Sequence, residues 1–124
     1  MNHRLRCNLL GPVEVEIDGS TPPVELMWRK NLGLLIYLVR HPDRVHARDH
    51  LMGLLWGEKE DRPARHSLRE AIRVLRKCLW PELIVTEGDS VRVVPGEFVT
   101  DVAEFDSAVR DSNWLDAAGF VRGQ

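Results

Sequence analysis

Between Pro63 and Leu79 the chain reads PARHSLREAIRVLRKCL, and at 100° per residue this run separates into two stripes. Arg62, Arg65, Arg69, Arg73 and Arg76 fall within a face about 80° wide, while Leu68, Ile72, Leu75 and Leu79 fall in a separate stripe about 60° wide. A helix of this kind must lay its leucines on a core and turn its guanidinium groups outward, so the rest of the chain has to supply that core. Asp61 is placed to cap it, and Pro63 suits the first turn, where a missing N–H costs nothing.

The charge on this stretch runs against the rest of the protein. From Arg62 to Lys77 six positive charges meet one acid, Glu70, in a chain of net charge −2. A basic run is often a solvated face neutralised by neighbouring acids. Here only Glu70 stands inside the helix to do so, and Arg is used almost throughout, which suits bidentate contact with phosphate or guanine. A polyanion, nucleic acid first, is the partner this face implies. The acidic balance comes from the end of the chain, where residues 101–124 hold five acids and two arginines.

With 124 residues and 44% hydrophobic residues, the chain supports one domain of ordinary size and a fragment of a second. The two cysteines, Cys7 and Cys78, fit reduced thiols of an intracellular protein, and no basic-then-apolar leader opens the sequence. The longest apolar run, Leu34 to Val39, is far too short for a membrane span. These features predict a cytoplasmic protein without membrane contact.

Taken in order, Leu5 to Leu10 and Val13 to Ile17 read as strands separated by Gly11-Pro12, and Val24 to Leu26 as a short extended piece, together a small antiparallel sheet. Trp28 to Arg40 changes to a helical period, with Leu32, Leu35, Ile36 and Val39 on one face and Leu34 and Leu38 widening it. Gly33 inside that helix predicts a neighbour packed close to its backbone. Arg44 to His46 is a brief extended link, and a second helix runs from Arg48 to Trp56 with Leu51, Leu54 and Leu55 inward, stopped by Gly57. The polar residues 57–62 join it to the basic helix. Leu83 to Thr86 and Val91 to Val94 flank Gly88-Asp89 as a hairpin. From Asp101, which reads as the cap by residue type, the helical period returns with Val102, Phe105 and Val109 on one face, and Leu115 to Val121 begins a further helix after a break at 111–113.

Sheet, two helices, basic helix and hairpin follow one another in the order of a winged helix-turn-helix, and five short patterns narrow the match. The chain resembles the OmpR/PhoB-type DNA-binding domain at the N-terminus of bacterial SARP and BTAD-containing transcriptional regulators. The opening L-x-G-x-x-x-V is met by Leu9 to Val15, and R-K-x-L-x-L-L-x-Y-L by Arg29 to Leu38. R-D-x-L-x-x-L-L-W is met by Arg48 to Trp56, S-L-R-x-A-[LI]-x-x-L-R by Ser67 to Arg76, and D-V-x-x-F by Asp101 to Phe105. The resemblance implies an α+β fold: a winged helix-turn-helix over residues 1–100, with an N-terminal antiparallel sheet, a three-helix core and a C-terminal hairpin wing. Residues 101–124 would then be the truncated start of a helical BTAD/TPR-like domain. It implies a sequence-specific transcriptional regulator whose basic helix enters the major groove of double-stranded DNA, whose wing lies by the adjacent minor groove, and which contacts RNA polymerase and acts as a homodimer on repeated half-sites. Ala47 departs from the family, which often has a capping Ser there, and Asp49 is placed to compensate in part.

For DNA, Arg65, Arg69 and Arg73 are expected in the groove, and Arg62, Arg76 and Lys77 on phosphates. Arg29, Lys30 and Arg48, at the starts of the first two helices, are open to two readings, backbone phosphate or solvent, and so is His66 at the border of the stripe. Ser67 reads as a small residue at a helix contact or as a DNA contact. Arg92 is the sole cation of the wing strands, flanked by Glu87 and Asp89. Trp28, Trp56, Trp80 and Trp114 read as packing residues rather than platforms for single-stranded bases. His46 and His50 are four apart, yet no intervening Glu and no third ligand accompany them, so no metal or other cofactor is expected. With no phosphate cradle, nucleophile elbow or carboxylate pair, an enzyme is not expected. The rival to DNA binding is a protein-interaction module whose basic helix docks on an acidic partner.

Overall fold

Alternation of side chains about an extended backbone sets the first sheet. In β1 (Leu5–Asn8) Leu5 and Cys7 are buried, and in β2 (Glu14–Ile17) Val15 is buried between exposed Glu14 and Glu16. The strands pair antiparallel, Cys7 opposite Val15. The computed structural model describes residues 5–110, with side chains through 105, so Trp114, the break at 111–113 and the helix expected from Leu115 lie outside the described residues, as does the side chain of Val109. The described residues form two compact units, one of residues 5–21 with 96–110, the other Pro22–Pro95.

In the first unit the sheet is completed by a strand the sequence did not announce. β6 (Phe98–Thr100), the last strand of the chain among the described residues, pairs parallel to β1, giving the order β2-β1-β6. The sheet is thus mixed rather than purely antiparallel. α4 (Asp101–Arg110) follows at once. Its cap is Thr100, whose hydroxyl accepts the Ala103 N–H at 3.1 Å, and not Asp101. The buried Asp101 carboxylate instead receives the amides of Leu9 at 2.7 Å and Leu10 at 2.9 Å, where the chain leaves β1. Arg6 adds a forked pair to Glu104, at 2.9 and 3.3 Å.

The second unit is built on three helices that pack on one another: α1 (Arg29–Arg40), α2 (Arg48–Trp56) and α3 (Asp61–Cys78). Before α1, residues Val24–Met27 form a turn of 3-10 helix instead of the extended piece expected, because Pro23 starts a turn that buries Leu26. α1 buries Leu34, Leu35, Leu38 and Val39, with Leu32 and Ile36 half-buried at the margins. Gly33 has the expected close neighbour, since a Cβ there would stand 3.3 Å from Leu55. α2 turns Leu51, Met52 and Trp56 inward, and Leu54 is 50% exposed, against the inward placement expected for it. Leu54 lies about 60° from Leu51 on the side away from Met52 and Trp56, and so falls off the buried stripe that runs from Leu51 through Leu55 and Met52 to Trp56. Gly57 ends it with φ −60° and supplies room rather than left-handed backbone: a Cβ would meet the Gly53 carbonyl at 2.7 Å.

β3 (His46–Ala47), β4 (Ile84–Glu87) and β5 (Ser90–Val93) form the second sheet in the order β3-β5-β4. β4 and β5 are the expected hairpin, with Gly88 at φ 56° in its two-residue turn, a conformation that suits Gly. Trp56 and Trp80 are buried as packing residues, whereas Trp28 is 59% exposed. Among the described residues no helix is long and apolar enough to cross a membrane.

Candidate nucleic-acid interface

The two stripes of α3 sort as their angles demand. Ala64, Leu68, Ala71, Ile72, Val74 and Leu75 are buried, and Arg62, His66, Arg69, Arg73 and Lys77 are exposed. The helix begins two residues earlier than Pro63, with Glu60 at the capping position and no side-chain cap bond. Asp61 therefore lies in the first turn, where its carboxylate suits the helix dipole and pairs with Arg65 at 3.5 Å instead of capping. Arg73 likewise pairs with Glu70 at 3.1 Å. Both are exposed neighbours on one helix, worth about 0.3–0.5 kcal/mol, and a phosphate can displace either acid. Arg62 and Arg69 have no ion-pair partner among the described residues.

Three cations singled out in the sequence are engaged within the protein. The Arg76 guanidinium is half-buried and forks onto the hairpin: Nε and Nη2 donate to the Ile84 carbonyl at 3.2 and 2.8 Å, and Nη2 to Thr86 Oγ1 at 3.2 Å. The Arg48 amide donates to the Asp89 carbonyl at 2.8 Å, and its Nε to the Gly88 carbonyl at 3.3 Å, so it holds the hairpin turn. Lys30 donates to the Leu55 carbonyl in the last turn of α2, with Glu58 3.9 Å away. Lys77 is outward but 3.2 Å from Glu25, Arg29 is exposed, and Arg92 on β5 stands 4.0 Å from Glu87. Ser67 is half-buried between Ala64 and Ala71 on α3.

Arg48, Arg69, Arg73 and Arg76 line one groove with Glu70, Ile72 and Thr86, so α3, the start of α2 and the first wing strand border an open cationic channel. Thr86 is the member that the sequence did not single out, and no local signal marked it, since its role comes from lying beside Arg76 in space. Ala47 stands at the N-cap of α2 and makes no side-chain cap bond, and Asp49 is in the first turn, as the sequence implies.

The histidines make a different arrangement. The Tyr37 ring stands 4.7 Å from that of His41, 5.2 Å from His46 and 5.9 Å from His50, and its hydroxyl is 2.9 Å from His50 Nε2. His46 is buried with Nε2 3.3 Å from the His41 carbonyl oxygen. Among the described residues no three His, Cys, Asp or Glu side chains are grouped to hold a metal.

Comparison with known proteins agrees with this architecture. The chain is similar to EmbR of Mycobacterium tuberculosis, a SARP-family regulator whose structure was solved in complex with a low-affinity phosphopeptide, at 25% identity and a TM-score of 0.71. The match covers 96% of this chain and 34% of EmbR, so the chain spans about a third of that protein. No curated protein is matched. Residues 24–96, which hold the three helices, the hairpin and the cationic channel, match the family described as transcriptional regulatory protein, C terminal, and the chain belongs to this family of OmpR/PhoB-type winged-helix domains of transcriptional regulators.

Proposed function

We propose that this domain binds double-stranded DNA with sequence specificity, α3 lying in the major groove and the β4–β5 hairpin beside the adjacent minor groove. The observation that carries the reading is the pairing of faces on α3: one side is the core of the second unit, and the other carries Arg62, Arg65, Arg69 and Arg73. At 18 residues the helix is about 27 Å long, enough to cross a major groove about 12 Å wide and reach phosphates on both sides. Arg65, Arg69 and Arg73, near its middle, are assigned to the groove, and Arg62 and Lys77, at its ends, to phosphates. Arg29 and His66 are peripheral contacts. Arg92 contributes least, because Glu87 and Asp89 surround the wing with negative charge.

A salt titration tests this. Log affinity for duplex falls with log salt at a slope between about −1.8, from the phosphate contacts of Arg62 and Lys77, and about −4.5, where Arg65, Arg69 and Arg73 also meet phosphate, about 0.9 per contact. Selection from random duplex yields a defined site, and Arg69→Ala weakens binding and relaxes the preference at one position by about 1–3 kcal/mol. A flat salt dependence, or no duplex binding at low salt, refutes the reading and points to an acidic protein partner.

The same reading extends to partners. Copies bind repeated half-sites about one helical turn apart, and the exposed loop 57–60 between α2 and α3 faces RNA polymerase. Alanine substitutions in that loop abolish activation and spare duplex affinity, and unchanged activation counts against the contact. The domain regulates transcription in the cytoplasm without catalysing a reaction, and the chain from Asp101 onward opens a helical domain.

A further inference from the structure

Arg76 occupies the same angular stripe as Arg62, Arg65, Arg69 and Arg73, but its bonds lead elsewhere. The hairpin register pairs Val85 with Arg92 and Glu87 with Ser90 around a two-residue turn. Those are the pairs that exchange ladder hydrogen bonds, so the carbonyls of Ile84 and Thr86 point away from β5. β4 is the outer strand of the sheet, and an outward carbonyl on an outer strand has no ladder partner. Arg76 fills that place: two of its N–H groups converge on the Ile84 carbonyl and a third contact reaches the Thr86 hydroxyl. At the far end of the same strand, Arg48 holds the carbonyls of Gly88 and Asp89. The hairpin is therefore tied at its base to α3 and at its tip to α2.

We infer that Arg76 is a positioning residue that sets the angle between α3 and the wing by clasping the outer edge of β4, with Thr86 as its side-chain partner, rather than a ligand of DNA phosphate. The inference deepens the DNA-binding reading and rests on it for its effect on affinity. Its geometric half stands apart, since the clasp is made in the free protein. The rigid fork of the guanidinium matters: it meets one carbonyl with two N–H groups while keeping a third for the hydroxyl, which an ammonium on a flexible stem does not reproduce.

Four variants, Arg76→Ala, Arg76→Lys, Thr86→Val and the double variant Arg76→Ala/Thr86→Val, are compared with Arg69→Ala for duplex affinity. Amide hydrogen exchange of the free proteins is measured alongside. With the clasp, Thr86→Val weakens duplex binding roughly threefold and Arg76→Ala roughly tenfold or more, and the double variant is no weaker than Arg76→Ala alone. Arg76→Lys fails to restore affinity, and the Val85 and Arg92 amides exchange faster in both Arg76 variants while those of the α1 core do not change. Thr86→Val keeps the charge and the β-branched shape, so it tests the contact even if Arg76→Ala fails to fold. The inference is overturned if Thr86→Val is neutral, if the double variant is weaker than Arg76→Ala by the full Thr86→Val factor, or if Arg76→Lys binds as the parent does, because each of those results describes a phosphate ligand. If Arg69→Ala leaves duplex affinity unchanged, the DNA reading itself has failed. Exchange at Val85 and Arg92 then decides the clasp alone: faster exchange sustains it, and unchanged exchange ends it.

Discussion

Replacing Asp101 by Ala removes the acceptor of two backbone amides at once, and the consequence can be sized from geometry. The Leu9 and Leu10 N–H groups donate to separate oxygens of that carboxylate, at 2.7 and 2.9 Å, and the Asp101 side chain is buried. A hydrogen bond to a charged group contributes about 1.5–3 kcal/mol. Leu9 and Leu10 are half-buried, so water recovers part of the loss, and the expected cost for Asp101→Ala is about 2–4 kcal/mol. Asp101→Asn keeps one oxygen and sets its amide hydrogens against the other N–H, for about 1–3 kcal/mol. Thr100→Val, which removes the real cap of α4, costs about 1 kcal/mol. Urea denaturation followed by far-UV circular dichroism gives the order, and amide exchange at Leu9 and Leu10 locates it. If Thr100→Val proves the more costly of the two, or if Leu9 and Leu10 stay protected in Asp101→Ala, the assignment of Asp101 as the ligand of those amides is wrong.

Other expectations follow from single contacts. Gly53→Ala has open space around the new Cβ inside α2 and raises stability by about 0.5–1 kcal/mol, whereas Gly57→Ala drives a Cβ to 2.7 Å from the Gly53 carbonyl and lowers it, so thermal melts move in opposite directions. Burial, with Arg44, His46 and Arg40 nearby and Asp43 opposing, holds the His41 imidazole below its usual value of 6.5. The unfolded chain then binds the proton first on acidification, so this stabilisation is present above pH 6.5 and is lost as pH falls below it; His41→Gln flattens that part of the stability profile. Burial pushes the Cys7 thiol up to about 12 from 9.0, with Asp101 adding to it. Its stabilising effect is present below pH 9.0 and lost on the way to 12, and at pH 8 a disulfide reagent labels the native protein at half-exposed Cys78, itself slowed by burial and by Glu25, and at Cys7 only after unfolding.

Much of the second unit was legible because its signals are local and periodic. Helical spacing marked α1, α2 and α3 to within a residue or two, and Gly88-Asp89 between β-branched runs marked the hairpin. The errors fall where a choice between neighbours is made in space. Thr100 and Asp101 are both good caps by residue type, and which of them serves α4 depended on the end of β1 lying within reach of the second. Phe98–Thr100 is three residues long, too short for alternation to be read, and became a strand because β1 offered it an edge.

The sequence by itself determined that one helix must bury its leucines and Ile72 and face outward with arginines, because a 3.6-residue period fixes the angle between stripes whatever surrounds them. It also determined the order of elements that makes a winged helix. What only the tertiary structure decided is which cations remain available to a partner. Arg69 and Arg76 lie about 20° apart on the same stripe, yet one is exposed and the other is bound to Ile84 and Thr86. The period says which way a side chain leaves its helix, and only the fold of residues further along the chain says what stands there when it arrives.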